Sequence, residues 1–129
     1  MRFLGKPLIG PSGAPMPISP AVEINGLVYL SGQLAFRDGK LVEGNATAQA
    51  ETIFDELEMA LVRAGLTLDN IFKATVWIAD PADFAAFNAV YGTRLRAPYP
   101  VRSCVVSSLV ILGARIEMEV VASREHRRA

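Results

Sequence analysis

Two helix-like segments of this chain are separated by one strand-like segment, and further strand-like segments lie on either side of them. Residues 47–64 carry apolar side chains at steps of three and four up to Gly65, which predicts an amphipathic helix. Residues 71–79 are typical of a strand, and Asp80 followed by Pro81 is typical of the start of a second helix. This order predicts an α+β fold, with two helices packed on one face of a mixed β-sheet.

Short strands are predicted before and after the helices. Asn25-Gly26 lies between two apolar stretches and predicts a two-residue hairpin, because both turn positions need a positive φ. Asp38-Gly39 predicts a second turn. The other predicted segments are short strands at residues 41–42, 101–108 and 114–122, and a Pro- and Gly-rich lead-in at residues 5–20, tied down by Ile9 and Ile18. One face of the strand at residues 71–79 is expected to carry Phe72, Ala74, Val76 and Ile78.

The chain is short and unusually apolar. Its 129 residues are expected to form a single domain, residues 1–129. Hydrophobic residues make up 51% of the sequence, and the mean hydropathy of +0.29 is high for a small domain surrounded by water. A sheet with helices on one face also leaves its other face uncovered. We therefore expect that face to pack against other copies of the chain.

Charge and composition argue against several classes of function. Thirteen basic and thirteen acidic residues give a formal net charge of zero, whereas nucleic-acid binders usually carry a basic stripe. One cysteine and one histidine, without ligand spacing, predict no metal site and no internal disulfide. No apolar run approaches a membrane span, and the N-terminus does not resemble a secretory signal, so a cytoplasmic protein is expected. One basic cluster, interpreted as a frayed solvated tail, comprises Arg124, His126, Arg127 and Arg128.

Charged residues interrupt each of the last two strand-like runs. Arg102 lies in Tyr-Pro-Val-Arg-Ser-Cys-Val, residues 99–105, and Glu117 lies in Arg-Ile-Glu-Met-Glu-Val, residues 115–120. A guanidinium is a planar fork that suits a carboxylate, and a glutamate can transfer protons. Such strands form either a solvated edge or the floor of a small-molecule site. For a site, we expect the two side chains to converge across a boundary between copies of the chain.

Five blocks in order, with spacing that fits without gaps over about residues 16–122, resemble the RidA/YjgF family of enamine/imine deaminases. The blocks are Leu-Ser-Gly-Gln (30–33), Ala-Gly-Leu (64–66), Asp80 with Phe84, Asn88 and Tyr91, Pro-Val-Arg-Ser-Cys-Val (100–105) and Ile-Glu-Met-Glu (116–119). The resemblance implies a chorismate-mutase-like fold with a six-stranded sheet. It also implies a homotrimer with ligand clefts at the subunit interfaces.

The resemblance further implies an activity: hydrolysis of a 2-imino or 2-enamino acid, such as 2-aminoacrylate, to a 2-keto acid and ammonia, with no metal or cofactor. Arg102 matches the family's carboxylate-binding arginine, and Glu117 matches the glutamate that holds or activates water. An interface salt bridge for Arg102 and a structural hydrogen bond for Glu117 are the alternatives. Glu119, two residues on, is the second candidate for the glutamate's role.

Other matching positions are expected to bind the substrate. Cys104 lies on the strand face of Arg102 and is interpreted as a wall residue, because no activating base is near it. Ser31 and Gly32 match a backbone segment that approaches the ligand, with a tight strand turn as the alternative. Asn88 matches a helix residue near the cleft, with helix capping or an interface role as the alternatives.

The chain departs from the family pattern at two places. Ile18 stands where the family has a tyrosine whose hydroxyl points into the pocket, and residues 109–112 are wholly apolar where a proline is usual. An apolar wall at Ile18 favours bulkier imino acids. A non-catalytic trimer that binds 2-keto acids is the alternative function. A ribonuclease or translation inhibitor fits less well, because the chain has no net charge and no histidine pair.

Overall fold

Six strands form one mixed sheet in the computed structural model, which describes residues 1–125. The strand order is β1-β2-β3-β8-β6-β7, and only the β6–β7 pair is parallel. A separate ribbon pairs β4 with β5. The strands are β1 (Arg2–Leu4), β2 (Ala21–Ile24), β3 (Leu27–Leu30), β4 (Phe36–Arg37), β5 (Lys40–Leu41), β6 (Ile71–Ile78), β7 (Val101–Val106) and β8 (Ile116–Ser123).

Two helices cover one face of this sheet, as predicted: α1 (Ala46–Arg63) and α2 (Phe84–Arg94). Asn45 begins α1, since its side-chain oxygen accepts a hydrogen bond from the backbone N–H of Ala48 at 2.9 Å. The inner stripe of α1 is fully buried, and each large side chain there contributes about 1.5–3 kcal/mol of burial free energy. This stripe comprises Ile53, Phe54, Leu57 and Leu61.

The helix α2 crosses over between the parallel strands β6 and β7. Asp80 ends the strand segment by accepting a hydrogen bond from the backbone N–H of Ala82 at 2.9 Å. Pro81 then starts a single 3₁₀ turn rather than the α-helix itself, which begins at Phe84. The crossover lays α2 against the sheet beside the edge strand β7. Its position decides which side chains can contact Arg102.

A β-bulge near the start of β6 corrects one predicted strand face. Ala74, Val76 and Ile78 are buried beneath the helices as expected, but Phe72 is 41% exposed and Ile71 is buried instead. The register against β8 shifts between Ile71 and Lys73, so the alternation changes phase at Phe72. Strict alternation of side chains holds only beyond the bulge.

The turn predictions are confirmed, while the N-terminal segment differs from expectation. Asn25 and Asp38 both have positive φ, each followed by a positive-φ glycine. The sixth strand of the main sheet is β1, which the sequence pattern did not predict. Ile9 and Ile18 are 64% and 39% exposed, so the prediction that these two side chains anchor the lead-in by burial is wrong.

The predicted basic tail lies mostly outside the described residues, which include only Arg124 of that cluster. Arg124 is not frayed, because its guanidinium donates to Glu23 at 2.6 and 2.9 Å and to the carbonyl of Ala64 at 2.8 Å. Arg2 donates to the same carboxylate at 2.9 Å. These contacts hold β1, β2 and the end of β8 together.

The sheet face opposite the helices, called the open face below, carries apolar side chains with no covering element among residues 1–125. The strand registers place Phe3, Val22, Tyr29 and Val121 on it. Phe3 and Tyr29 are 64% and 43% exposed. The open face also has a groove of about 280 Å³, lined in part by Ser19, Ser31 and Glu119.

Candidate active site

Arg102 lies on the helix-bearing side of the sheet, opposite Ala74 of the neighbouring strand β6. Its Nη1 donates a hydrogen bond of 2.8 Å to Oδ1 of Asn88 in α2. The guanidinium carbon lies 4.6 Å from the ring centre of Tyr91 and 5.7 Å from that of Phe84. Arg102 forms no ion pair with any carboxylate in residues 1–125. Its remaining donors are therefore available to an anion.

The helix α2 supplies all three of these contacts because of its residue spacing. Phe84, Asn88 and Tyr91 are separated by four and three residues and so lie on one side of the helix. Asn88 is in the interior of α2, which excludes the helix-capping alternative. Tyr91 and Phe84 were not predicted as site residues. Their spacing from Asn88 predicts that they share a helix side with it. The sequence does not show how β7 lies relative to α2, and so it does not show that this side contacts Arg102.

Cys104 shares the strand face of Arg102, since the two residues pair with Val76 and Ala74 of β6. Burial raises the pKa of the Cys104 thiol, and the nearby Arg102 charge only partly opposes that shift. A raised thiol pKa disfavours the nucleophilic thiolate. The raised pKa makes Cys104 a poorer nucleophile, and its role as a wall residue stays a prediction.

Glu117 lies on the open face, opposite Trp77 of β6, and Glu119 lies on the same face. The segment that contains Gly32 runs beside it, because the backbones of Gln33 and Met118 exchange hydrogen bonds of 2.8 and 2.9 Å. A Cβ built on Gly32 would lie 3.1 Å from Cδ of Glu117 and overlap its carboxylate oxygen Oε2. A side chain at position 32 would therefore displace the Glu117 carboxylate from its observed place.

Ser31 joins the Glu117 group to the lead-in segment. Its hydroxyl donates to the carbonyl of Ser19 at 2.6 Å, and its N–H donates to the carbonyl of Pro20 at 2.9 Å. Ile18 precedes Ser19 and is 39% exposed. The predicted residues Ser31, Gly32 and Ile18 therefore belong to the part of the molecule near Glu117.

Burial raises the pKa of the Glu117 carboxyl, and the negative charge of Glu119 raises it further. Both causes favour the neutral form of Glu117. A carboxyl group with a raised pKa exchanges protons more readily near neutral pH than an ordinary surface glutamate does.

The predicted site residues thus form two groups on opposite faces of one sheet. The guanidinium group comprises Arg102, Asn88 and Cys104, and the carboxyl group comprises Glu117, Gly32 and Ser31. In an antiparallel or parallel ladder, directly paired residues point to the same face, so the registers fix this separation. Within one chain, Arg102 and Glu117 cannot bind the same small molecule.

Residues 1–125 contain neither a metal-ligand cluster nor a membrane-spanning helix. No group of three or more His, Cys, Asp or Glu side chains could hold a metal ion there. None of the helices in that part of the chain has the length and apolar character needed to span a bilayer.

Comparison with known proteins agrees with this fold. The sequence matches the family described as Endoribonuclease L-PSP over residues 12–124. A fission yeast (Schizosaccharomyces pombe) protein named mmf1, mitochondrial, is 39% identical over 109 residues, which cover 82% of this chain and 67% of that protein. A goat (Capra hircus) protein named 2-iminobutanoate/2-iminopropanoate deaminase is 33% identical over 127 residues, 95% of this chain and 93% of that protein.

The solved structures give the same result. The crystal structure of E. coli TdcF with bound serine superposes with a TM-score of 0.79 at 32% identity, covering 87% of this chain and 91% of that one. The fold of two helices on a mixed six-stranded sheet is thus the chorismate-mutase-like fold of that group. By the family match and by the shared fold, this chain belongs to the RidA/YjgF family.

Proposed function

We propose that this protein hydrolyses reactive 2-imino and 2-enamino acids to 2-keto acids and ammonia, at clefts formed between copies of the chain. The observation that carries the proposal is Arg102. It is backed by an aromatic ring, held by an amide oxygen and unpaired with any carboxylate in residues 1–125. A fixed guanidinium with donors to spare is suited to the carboxylate of a small acid.

Arg102 binds the substrate carboxylate in this proposal. Hydrogen bonds between charged groups are worth about 1.5–3 kcal/mol each once water is excluded. They hold the imine carbon at a fixed distance from the opposite wall of the cleft, where water must arrive. Cys104 and Asn88 then line the guanidinium side of the cleft.

Glu117 carries the protons. The oxygen of water bonds to the carbon of the protonated imine while Glu117 accepts a proton from that water. Glu117 then passes that proton to the nitrogen of the tetrahedral intermediate. The C–N bond breaks with its electron pair going to nitrogen. The C=O bond forms as the hydroxyl group gives its proton to Glu117. Transfer of this proton to ammonia completes the balance of one protonated imine and one water to one 2-keto acid and one ammonium ion.

The cleft requires at least two copies of the chain, because Arg102 and Glu117 face opposite sides of one sheet. An apolar open face with exposed Phe3 and Tyr29 favours such association. We propose a homotrimer, in which the guanidinium group of residues of one copy meets the carboxyl group of residues of the next. The mass in solution, measured by light scattering on a size-exclusion column, tests this assembly.

Ile18 is the basis for a proposed substrate preference. It lies one residue before Ser19, which Ser31 contacts, and its side chain carries no hydrogen-bonding group. We expect larger apolar imino acids, such as those derived from leucine or methionine, to be turned over faster than 2-aminoacrylate. Imino acids generated in situ by an amino-acid oxidase test the order, and a clear preference for 2-aminoacrylate would contradict it.

The partner in this proposal is a small 2-imino or 2-keto acid, without nucleic acid, membrane, metal or cofactor. A cytoplasmic location remains a prediction, because the name of the fission yeast relative places that protein in mitochondria. Fractionation of cells that express the full chain distinguishes the two compartments.

A non-catalytic trimer that binds small acids is the second candidate. The serine bound to E. coli TdcF and the isoleucine at position 18 of this chain both favour it. The ribonuclease activity in the family's description is less suited to a chain with no net charge. RNA cleavage that is lost in Glu117→Gln would support it.

Ammonia release from imino acids decides between catalysis and binding. Arg102→Ala and Glu117→Gln are each expected to lower kcat/KM by at least about tenfold. Arg63→Ala and Glu43→Gln are matched controls, because both residues are exposed. Wild-type ammonia release equal to the uncatalysed rate, together with Arg102-dependent binding of a 2-keto acid, would establish the binding function instead.

A further inference from the structure

The Tyr91 side chain is buried where a phenylalanine would be the simpler choice. It is 5% exposed, packs edge-on against Phe54 with ring centres 6.0 Å apart, and lies 5.7 Å from the ring of Phe87. Its hydroxyl is buried and forms no hydrogen bond within residues 1–125. The proposed chemistry assigns no step to that hydroxyl. What Tyr91 does contact is the guanidinium of Arg102, 4.6 Å from its ring centre.

We propose that Tyr91 is a positioning residue, whose ring face, together with the amide oxygen of Asn88, sets the direction in which Arg102 presents its free N–H donors to a carboxylate. This inference rests on the proposed function, because it concerns the same carboxylate-binding arginine. It concerns the ring of Tyr91 and not its hydroxyl.

The contacts of Arg102 leave its guanidinium few possible orientations. An arginine side chain has several rotatable bonds, and ordering it costs free energy that a ligand must otherwise supply. The ring face of Tyr91, 4.6 Å from the guanidinium carbon, restricts where the guanidinium can lie, and the 2.8 Å hydrogen bond to Asn88 fixes the direction of one of its N–H groups. Both constraints come from residues of the chain itself. The binding site is therefore ordered before the acid arrives.

Phe87 offers a matched control for core packing. It lies on the same helix, is fully buried and contacts the Tyr91 ring, but it has no contact with the Arg102 guanidinium among the ring contacts of residues 1–125. Phe87→Leu removes a buried ring from the core and leaves the ring beneath Arg102 in place. Tyr91→Leu removes that ring.

The experiment titrates pyruvate into the assembled protein by calorimetry and records the NMR signal of the Arg102 Nε–Hε group. Tyr91→Leu is expected to raise the Kd for pyruvate about 3- to 30-fold, the range of a cation–π contact, and to shift the Arg102 signal by removing the ring current. In turnover, KM should rise by a larger factor than kcat falls. Tyr91→Phe should keep the Kd for pyruvate within about threefold of the wild-type value, since the ring is retained. Phe87→Leu should lower the thermal midpoint without raising the Kd.

Each other outcome has a definite meaning. A wild-type Kd in Tyr91→Leu, with binding lost in Arg102→Ala, would reduce Tyr91 to a packing residue and overturn the inference. Equal losses in Tyr91→Phe and Tyr91→Leu would assign the effect to the hydroxyl and also overturn it. If Tyr91→Leu does not fold, Asn88→Ala at an exposed position must weaken pyruvate binding, or the inference fails. Wild-type protein that binds no pyruvate through Arg102 would refute the proposed function, and the NMR shift alone would then decide whether Tyr91 orders the guanidinium.

Discussion

Replacing Asn88 by aspartate should strengthen the fold and weaken ligand binding at the same time. Oδ1 of Asn88 already accepts from Arg102 at 2.8 Å, and aspartate has the same shape. The substitution therefore changes a neutral acceptor into a charged one with little movement of atoms. It gives Arg102 an internal carboxylate in the place where the proposed substrate would compete.

Two magnitudes follow from the exposure of this pair. Unit charges about 4 Å apart attract by about 4 kcal/mol at an effective dielectric constant of about 20. Asn88 is exposed, however, and exposed ion pairs contribute only about 0.2–1 kcal/mol. We therefore expect Asn88→Asp to raise the free energy of unfolding by about 0.2–1 kcal/mol. The introduced charge also repels the ligand's carboxylate. Together, competition and repulsion should raise the Kd for pyruvate about 5- to 30-fold, equivalent to about 1–2 kcal/mol.

The assay combines urea unfolding at pH 7 with pyruvate titration under the same conditions. The pKa of the introduced carboxyl should fall beside Arg102, so its stabilisation is present above the ordinary aspartate range and is lost as the pH falls through the lowered pKa. Added salt should diminish both effects. Asn45→Asp is the control, because aspartate also caps a helix and adds the same charge at a different place. Reduced stability or an unchanged Kd in Asn88→Asp would refute the account of Arg102 as an unpaired, outward-presenting guanidinium.

Three further predictions concern Gly32, Glu117 and Glu23. Gly32→Ala should lower kcat/KM at least about tenfold by displacing the Glu117 carboxylate. Gly92→Ala meets no atom within 4 Å and should instead stabilise α2 by up to about 1 kcal/mol. Steady-state kinetics and urea unfolding of both variants check these effects. The raised pKa of Glu117 predicts that kcat/KM of the wild type rises with pH through a midpoint above 4.5, and that this rise is absent in Glu117→Gln. The folded wild type holds the Glu117 proton more tightly than the unfolded chain does, so it loses stability as the pH rises through that pKa. Glu117→Gln has no such proton and should therefore become more stable relative to the wild type over the same pH range. The pKa of Glu23, lowered to about 2 by Arg124 and Arg2, predicts that Glu23→Gln is less stable than wild type at pH 7 and that the difference shrinks as the pH falls from 4.5 toward 2, measured by urea unfolding at several pH values.

Features of the fold that depend on neighbouring residues could be predicted from the sequence. The Asn25-Gly26 hairpin needs only two residues that tolerate positive φ. The helix α1 needs only an asparagine cap and a repeating apolar stripe, and its predicted bounds differ from the observed Ala46–Arg63 by one residue at each end. These signals are local, so one sequence contains them in full.

Features that depend on pairing between distant segments could not be predicted in the same way. The strand β1 was missed because three residues show little periodicity, and its place depends on pairing with β2 and on the contact between Arg2 and Glu23. The bulge that exposes Phe72 is likewise a property of the β6–β8 ladder. The sequence contains each of these strands but not the register that joins it to its neighbour.

The same limit applies to the candidate site, with a larger consequence. The resemblance selected Arg102 and Glu117 as a pair, and side-chain alternation within each strand correctly placed Cys104 with Arg102 and Glu119 with Glu117. Whether the two pairs share a face depends on two registers through β6, where Ala74 lies opposite Arg102 and Trp77 lies opposite Glu117. Because positions 74 and 77 differ by an odd number, the guanidinium and the carboxyl must point in opposite directions. If these two groups act on one molecule, association of the chain is therefore a requirement of the chemistry, and a variant that stays monomeric should lose turnover even with every side chain intact.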